Sequence, residues 1–335
     1  MAFNIASGTE NEDKPRKEVD WDALRAHTIE AAKTAARARS IPGIVAGIYD
    51  LGIQARPDAE EEFKGDEAAE AAEIAKNPNV YFIEKYGKYL MCRPQKPVQQ
   101  VALAIDFPQI LVDKGQFFGE SNPMPLRLIL NGEIQLNMLT KQEADKKTRV
   151  MAKGFSLVET KHPNGKWGFD KKNTLYKIAD AAGLVGDDGI FIKKDIDKLL
   201  GKVVQFQIRV YNKPAKDGGK SYYTEEIKLA GIVPEGVSIP EAPEGILHMV
   251  QFSVENDEAA LKQLRASVVN TMARAANFPG SKLSEQLSER LAKSAEYRGT
   301  GETTKSATEA PKPAVKAPKK AEVPADDPFD DEIPF

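Results

Sequence analysis

The sequence contains very few of the residues that build metal sites, disulfides and covalent active sites. In 335 residues there is one cysteine, Cys92, and there are three histidines, His27, His162 and His248. A single cysteine excludes an intramolecular disulfide and a cysteine-rich zinc or iron–sulfur site. Because the histidines are far apart in the chain, a histidine-cluster metal site is not expected either. We predict no metal and no cofactor, and we expect Cys92, which has no histidine nearby, to be a buried thiol.

Long apolar runs and the usual enzyme motifs are also missing. No apolar run approaches the roughly 20 residues that a membrane-spanning helix needs, and the first residues lack a basic region followed by an apolar stretch. Neither common glycine-rich phosphate-binding motif occurs, and the turn Asp187-Asp188-Gly189 lacks the later ligands of a calcium loop. These absences predict a protein that is not an enzyme and that works in a reducing compartment.

Charges of both signs are almost equally abundant, but they are unevenly distributed along the chain. The sequence has 47 Lys and Arg against 50 Asp and Glu, a net charge of −3. Residues 81–230 carry 25 basic and 17 acidic side chains, whereas residues 1–80 carry 10 and 16. A basic middle region is typical of a protein with a polyanion as its partner. The alternative is an ordinary solvated surface of mixed charge.

The C-terminal part of the chain changes composition at about residue 299. Residues 299–325 are rich in Pro, Lys and Ala and have no apolar period, which predicts a disordered linker. The last ten residues combine five acidic side chains with three large apolar ones. Apolar anchors beside a terminal carboxylate, with acidic residues for steering, are typical of a short peptide ligand. The residues predicted to bind partner proteins are Asp326, Asp327, Phe329, Asp330, Asp331, Glu332, Ile333, Pro334 and Phe335.

This tail resembles that of bacterial single-stranded DNA-binding proteins, in which an acidic run stands immediately before a terminal Ile-Pro-Phe. Residues 329–331 and 333–335 match the pattern, and Glu332 keeps the charge of the usual aspartate. The body of the chain does not match the bacterial protein. The whole is more similar to a bacteriophage-encoded single-stranded DNA-binding protein that carries a host-type tail.

The resemblance implies several expectations about partners and location. The tail is expected to dock on replication and repair enzymes, such as a polymerase, primase, helicase or nuclease. It is also expected to compete with DNA for the binding groove when DNA is absent. The implied location is the cytoplasm of the bacterial host, in association with the nucleoid.

Hydrophobic patterning predicts an α+β, mainly β fold. Strands are predicted over residues 43–54, 80–93 (a hairpin turning at Tyr86-Gly87), 98–107, 125–130 (followed by a turn at Asn131-Gly132), 203–211, 221–233 and 247–254. Helices are predicted over residues 20–39, 66–76, 173–183, 193–200, 256–276 and 282–298. Three strands, a helix and two further strands are the element order of the OB-fold, a five-stranded, partly open barrel that binds oligonucleotides.

The predicted organisation is an OB-fold-like core with additions at both ends. The divisions are an N-terminal extension (1–78), the core (79–255), C-terminal helices (256–298), the linker (299–325) and the tail (326–335). The extension either completes the barrel through the strand at 44–53 or forms a separate acidic shield. The C-terminal helices fit packing within the chain or between subunits, so a homo-oligomer stays open.

The strand at 203–211 has a pattern that suits a nucleic-acid interface. Its alternation predicts Val204, Phe206, Ile208 and Val210 inside the barrel, with Gln205, Gln207, Arg209 and Tyr211 facing outward. Arginine attracts phosphate, tyrosine stacks on a base, and glutamine donates hydrogen bonds without demanding one sequence. The following loop adds Lys213, Lys216, Lys220, Tyr222 and Tyr223 as candidate contacts. The alternatives are an ordinary solvent-facing strand and a plain hairpin loop.

The segment 141–177 is a second candidate, because ten basic and four acidic residues are interleaved with aromatics. Stacking of a base on an aromatic ring contributes about 1–3 kcal/mol and tolerates any sequence. We expect Trp167 to be exposed at a loop tip; burial of the aromatics in the core is the alternative. The candidate DNA contacts are Arg149, Lys153, Phe155, Lys166, Trp167, Phe169, Lys171 and Lys172.

Taken together, the sequence predicts a non-catalytic protein that coats single-stranded DNA without sequence preference and recruits enzymes through its tail. One alternative is an adaptor that uses the tail but has no DNA affinity; its mark would be a basic face without exposed aromatics. The other is a nuclease or recombination enzyme, whose mark would be a carboxylate cluster that binds magnesium.

Overall fold

The computed structural model describes residues 20–56, 58–130, 154–214 and 221–297. The strands are β1 (Arg39–Gln54), β2 (Ala59–Glu62), β3 (Tyr81–Lys85), β4 (Lys88–Arg93), β5 (Val98–Asp113), β6 (Pro123–Leu130), β7 (Phe155–Ser156), β8 (Thr160–Lys161), β9 (Trp167–Gly168), β10 (Val203–Lys213), β11 (Tyr222–Gly231) and β12 (His248–Val250). The helices are α1 (Trp21–Ala32), α2 (Glu67–Lys76), α3 (Gly115–Phe118), α4 (Thr174–Ala181), a 3-10 helix (Lys193–Leu199), α5 (Glu258–Lys262), α6 (Ala266–Met272) and α7 (Lys282–Tyr297).

Several sequence predictions lie outside the described residues. They are the turn at Asn131-Gly132, the candidate contacts Arg149, Lys153, Lys216 and Lys220, the linker at 299–325 and the tail at 326–335.

The fold is mixed α+β and is dominated by one antiparallel sheet. Its strand order is β11-β10-β1-β5-β6, with β7 added to β5 and β12 pairing in parallel with β1. Within the described ranges β6 and β11 are the two edges, so the sheet does not close into a hydrogen-bonded barrel. The strand predicted in the N-terminal extension is the central strand of this sheet, as in the alternative in which it completes the core.

The inner face of the main sheet follows the alternation predicted from sequence. On β5, Val101, Leu103, Ile105 and Phe107 are buried, and on β10 every second residue from Val204 to Val210 is buried as well. These side chains form one cluster with the inner faces of β1 and β6 and with α4. Burial of apolar surface at about 25 cal/mol per Å² makes this cluster the main source of stability.

β1 is buried on both faces, which explains why its sequence is almost continuously apolar. All nine residues from Ile41 to Tyr49 are buried. The side chain of Val45 enters the inner core, while Tyr49 lies on the outer face under the C-terminal segment. A bulge at Gly52, which has a positive φ of 75°, bends the end of the strand. A residue other than glycine would be strained at this position.

The segment 246–290 covers the outer face of β1. Both backbone polar groups of Ile53 in β1 are hydrogen-bonded to this segment. Its carbonyl accepts from the N–H of Ala276 (2.9 Å), and its N–H donates to the side-chain oxygen of Asn277 (2.7 Å). Gln54 donates to the carbonyl of Thr271 (2.9 Å). The predicted helix at 256–276 is therefore wrong as one element: it is two short helices. The break between them carries Arg265 in an extended conformation (ψ 151°), which turns its side chain toward the main sheet.

A buried charged network lies between the main sheet and this C-terminal segment. Arg127 of β6 binds Asp106, its direct cross-strand neighbour on β5, through two hydrogen bonds of 2.7 and 2.8 Å. Its remaining nitrogen donates to Gln263 (2.5 Å). Beside this pair, Tyr49 and His248 are joined by a hydrogen bond of 2.9 Å.

Most of the other predicted elements are present with shifted ends, but the helix predicted at 193–200 is a 3-10 helix and the strand predicted at 247–254 is reduced to β12. The short strands β2, β7, β8 and β9 were not predicted. The hairpin of β3 and β4 turns at Tyr86 and Gly87, both with positive φ, in a second sheet of order β2-β4-β3. Cys92 in this sheet is buried, as expected. Helix α1 ends earlier than predicted, because Lys33 adopts a left-handed conformation and the buried Thr34 accepts the N–H of Val210 (2.8 Å).

Candidate nucleic-acid interface

The outward side of the β10–β11 hairpin carries alternating cations, amides and aromatics. Gln207, Arg209, Tyr211 and Lys213 share this side of β10, because successive strand residues face opposite ways. The register places Lys228 opposite Gln207, Glu226 opposite Arg209 and Tyr222 opposite Lys213. We call the surface formed by these seven residues the β10–β11 face.

Arg209 is held in a fixed position at the centre of this face. Its guanidinium lies 4.0 Å from the centroid of the Tyr211 ring and donates to the carbonyl of Ala35 (3.1 Å). The Tyr211 hydroxyl donates to Glu226 (2.6 Å), and this hydrogen bond raises the pKa of the phenol. A guanidinium that is already stacked on an aromatic ring loses little conformational entropy when it binds phosphate.

Three cations near β10 were missed by the sequence interpretation. Lys33 and Arg37 belong to the connection from α1 to β1, the same connection whose Ala35 binds Arg209. Arg39 is the first residue of β1 and pairs with Ile208, which places it on the side of the sheet opposite to the β10–β11 face. In the described ranges none of the three has a carboxylate within salt-bridge distance. Their close spacing in the sequence could have indicated a local group of cations. The charge count over residues 1–80 hid it, because acidic residues predominate in that region.

Gln205 lies on the same side of β10 as Gln207, as predicted, but it is buried and is not accessible as a DNA contact. Its side chain is only 8% exposed, and its amide nitrogen donates to the Ser40 hydroxyl (3.0 Å). The register of β10 with β1 has no shift at this residue, and the extra residue in the pairing with β11 is Ala230 of β11.

The second candidate segment divides into a core part and an exposed part. Phe169 is fully buried against Phe191, with ring centroids 6.0 Å apart, and Phe155 is buried at the edge of β5. Neither ring can stack on a base, so their assignment as DNA contacts is corrected. Trp167, in contrast, is 60% exposed on the β8–β9 hairpin, as expected. Lys166 beside it binds Asp188 (2.9 Å).

Lys171 and Lys172 follow this hairpin and are exposed. Of the two tyrosines after the β10–β11 loop, Tyr222 is 51% exposed and lies on the β10–β11 face. Tyr223 points to the opposite side of the strand, where its hydroxyl donates to Glu225 (2.7 Å). Burial and the nearby Glu225 carboxylate raise the pKa of Tyr223.

A cleft of about 860 Å³ lies between the β10–β11 hairpin and α1, and Tyr222 of the β10–β11 face also lines it. At its floor, Arg265 binds Glu225 of β11 (2.5 Å) and donates to the carbonyl of Arg127 on β6. Burial alone lowers the pKa of Arg265, but Glu225 raises it above the ordinary value. Arg265 thus connects the two edge strands where no strand ladder joins them. The described lining is Asp22, Arg25, Asn212, Ser221, Tyr222, Tyr223, Glu225 and Arg265.

The charged residues that line the cleft balance one another. Asp22 and Arg25 form an ion pair of 3.0 Å on α1, and Glu225 and Arg265 form another. An electrically balanced cleft offers no net attraction to phosphate. The β10–β11 face, with its excess of cations, is therefore the better surface for a polyanion.

Comparison of the chain with protein-family models, curated proteins and solved structures found no match. No helix in the described part of the chain is long and apolar enough to cross a membrane. In the same residues no three His, Cys, Asp or Glu side chains come together in a metal-binding arrangement.

Proposed function

We propose that the protein binds single-stranded DNA without sequence preference, holds it on the β10–β11 face and recruits other proteins through its C-terminal tail. The observation that carries the proposal is the array of Arg209, Tyr211 and Lys213 on one side of β10, beside the exposed Tyr222. A cationic track attracts the DNA backbone, while exposed rings stack on bases of any identity. Lys33 and Arg37, in the connection whose Ala35 carbonyl accepts from Arg209, add cations beside the track.

The strand order supports an OB-fold. The five long strands, counted along the chain, are β1, β5, β6, β10 and β11. In an OB-fold the first strand lies between the second and the fourth, and the third and fifth strands approach each other to leave a partly open barrel. Here β1 lies between β5 and β10, and β6 and β11 lie close together.

The C-terminal tail supports a role in binding other proteins. Its resemblance to bacterial single-stranded DNA-binding proteins supports docking on replication, recombination and repair enzymes in a bacterial host, as in a phage-encoded protein of this kind. The alternative is an adaptor with the same tail and no DNA affinity. That alternative requires a basic face without exposed aromatics, and Tyr222 on the β10–β11 face favours DNA binding over it.

The experiment that tests the proposal is a salt titration of binding to fluorescent oligo-dT, with the matching duplex measured alongside. We expect tight binding to the single strand, much weaker duplex binding and a steep loss of affinity with salt. No binding at low salt, by the full chain and by the chain that ends before Asp326, would contradict the proposal and leave the adaptor as the function.

Two variants locate the binding surface. Tyr222→Ala removes one stacking ring and should weaken oligo-dT binding by about 1–3 kcal/mol. Lys228→Ala should lower the slope of log affinity against log salt by about 0.7, the value for one phosphate contact on a single strand. Tyr86→Ala is the matched control, because Tyr86 is an exposed tyrosine on the other sheet. An equal loss in the control would argue against the β10–β11 face.

A further inference from the structure

The segment after β11 is an exposed surface of unusual composition. Residues 229–261 contain six acidic residues and neither Lys nor Arg. Glu235, Glu241 and Glu244 are exposed, and no cation of the described residues lies within salt-bridge distance of them. Six apolar side chains are also exposed over this segment: Ile232, Val237, Ile239, Leu247, Met249 and Val254. We call residues 232–254 the acidic strip.

Exposed apolar groups that lie together, rimmed by polar residues, mark an interaction surface. Single exposed apolar residues are ordinary, but six within 23 residues are not explained by packing inside the chain. The acidic side chains among them restrict the partner, because a partner with the same charge would be repelled. The strip therefore fits a surface that combines cations with exposed apolar groups.

The same chain carries such a surface on the β8–β9 hairpin. Trp167 and Val158 are its exposed apolar groups. Lys161, Lys171 and Lys172 are exposed, and no described carboxylate lies within salt-bridge distance of them. We call residues 158–172 the Trp167 hairpin. Among the described residues, no hydrogen bond or ion pair joins this hairpin to the acidic strip.

We infer that the acidic strip of one copy of the protein docks on the Trp167 hairpin of the next copy. The two surfaces are complementary in charge, and both offer apolar contact area. Because they are different surfaces of one chain, the contact is heterologous and each copy keeps one free end of each kind. Copies therefore join head to tail, in a row with a direction.

The size of the surfaces predicts a weak contact in dilute solution. A stable interface needs about 1,200–2,000 Å² of buried surface, with well-packed anchors at its centre, and here Trp167 is the single large anchor. The row gains strength when copies are held close together. Binding to one DNA strand does this by raising the effective concentration of one copy beside another to about the millimolar range.

This last consequence rests on the proposed function, but the contact itself does not. Its test uses two full-length variants, analysed without DNA by sedimentation at low salt and at concentrations that approach the millimolar range. The strip variant is Glu241→Lys/Glu244→Lys. The hairpin variant is Lys171→Glu/Lys172→Glu. The wild-type protein should associate in a concentration-dependent and salt-sensitive way.

The expected pattern follows from the signs of the charges. The strip variant has two positive surfaces and the hairpin variant has two negative surfaces, so each alone should sediment as a monomer. A mixture of the two should associate at least as strongly as the wild type, because every contact between unlike copies is then between opposite charges. The control variant Glu30→Lys/Glu84→Lys makes the same change in net charge as the strip variant, at exposed sites outside both surfaces, and should associate normally.

Three results would overturn the inference: wild-type protein that stays monomeric under these conditions, single variants that associate like the wild type, or a mixture that stays monomeric while the wild type associates. Equal thermal unfolding of the four proteins serves as the folding control.

A second measurement separates this role of Trp167 from a DNA contact. Trp167→Ala should leave the affinity for an oligonucleotide that holds one copy unchanged, and should weaken binding to one that holds several copies by about fivefold or more. An equal loss on the short oligonucleotide would place Trp167 on DNA and overturn the inference. Failure of the wild type to bind either strand would instead contradict the proposed function and leave the DNA-free association as a separate result.

Discussion

At the scale of single residues, we expect the largest loss of stability from breaking the buried ion pair of Arg127 and Asp106. The Asp106 side chain is 2% exposed and is held by two hydrogen bonds from one guanidinium. The attraction within a buried pair is largely offset by the loss of hydration of both charges. Removing one partner is much worse, because the other charge then stays buried without compensation.

We therefore expect Arg127→Met to lower the free energy of unfolding by about 3–5 kcal/mol. The double variant Arg127→Met/Asp106→Leu should recover a large part of that loss, since it leaves no unpaired charge at the site. Urea unfolding of the wild type and both variants measures the difference. A double variant less stable than Arg127→Met would show that the pair itself, and not the orphaned carboxylate, carries the stability.

Arg265 also forms an ion pair with a carboxylate, but we expect its substitution to cost less stability than that of Arg127. It binds Glu225 and the carbonyl of Arg127, but its side chain is 34% exposed. Water can reach the charges that its loss would leave behind, so the cost of substitution is smaller than for Arg127. Its importance is positional, because it is the group that links β6 to β11.

At the scale of elements, the docking of β12 on β1 depends on a neutral histidine. His248 donates a hydrogen bond from Nδ1 to the carbonyl of Ile246 and accepts one at Nε2 from the Tyr49 hydroxyl. Both hydrogen bonds are 2.9 Å long. Burial lowers the pKa of His248 from its ordinary value of 6.5, and Arg127 lowers it further, against opposing effects of the Ile246 carbonyl, Asp106 and Asp257. The protonated ring would place a second donor toward the Tyr49 hydroxyl and near Arg127.

The lowered pKa of His248 determines how the stability of the protein depends on pH. The unfolded chain binds a proton at His248 at a higher pH than the folded protein does, so stability is fully present above about pH 6.5 and is lost as the pH falls toward the folded-state pKa. We expect the free energy of unfolding of the wild type to fall between pH 7.5 and 5 more steeply than that of His248→Gln. The comparison cancels other groups, such as Asp50, whose pKa burial raises. Parallel pH profiles would contradict the role of His248.

At the scale of the whole molecule, charge is arranged so that a near-neutral chain has surfaces of opposite sign. Deleting residues 326–335 removes five acidic side chains and changes the net charge from −3 to +2. Since the tail is expected to compete with DNA for the cationic track, the truncated protein should bind oligo-dT more tightly, with the largest gain at low salt.

The matched control for this prediction is deletion of Ile333 to Phe335 alone. It keeps all five acidic side chains and should leave DNA affinity close to that of the wild type while removing the apolar anchors for partner proteins. Oligo-dT titrations at two salt concentrations measure both. Unchanged affinity of the longer truncation would show that the tail and DNA do not compete.

Local features of this molecule were determined by the sequence itself. The two-residue alternation on β5 and β10 selected the inner face, because side chains of a strand alternate between its sides. The Tyr86-Gly87 turn, the aspartate caps of α1 and α2 and the exposure of Trp167 likewise depend on a few neighbouring residues.

Only the tertiary structure decided the features that depend on residues far apart in the chain. Burial of β1 on both faces requires the segment 246–290, which begins about 200 residues later. Arg265 breaks a continuous amphipathic pattern because its side chain binds β11 and β6. Gln205 is buried on the outward side of β10, where its amide binds Ser40 of β1. Contacts at such separations are set by packing and by buried polar partners, whose free energies exceed the small local preferences of the chain.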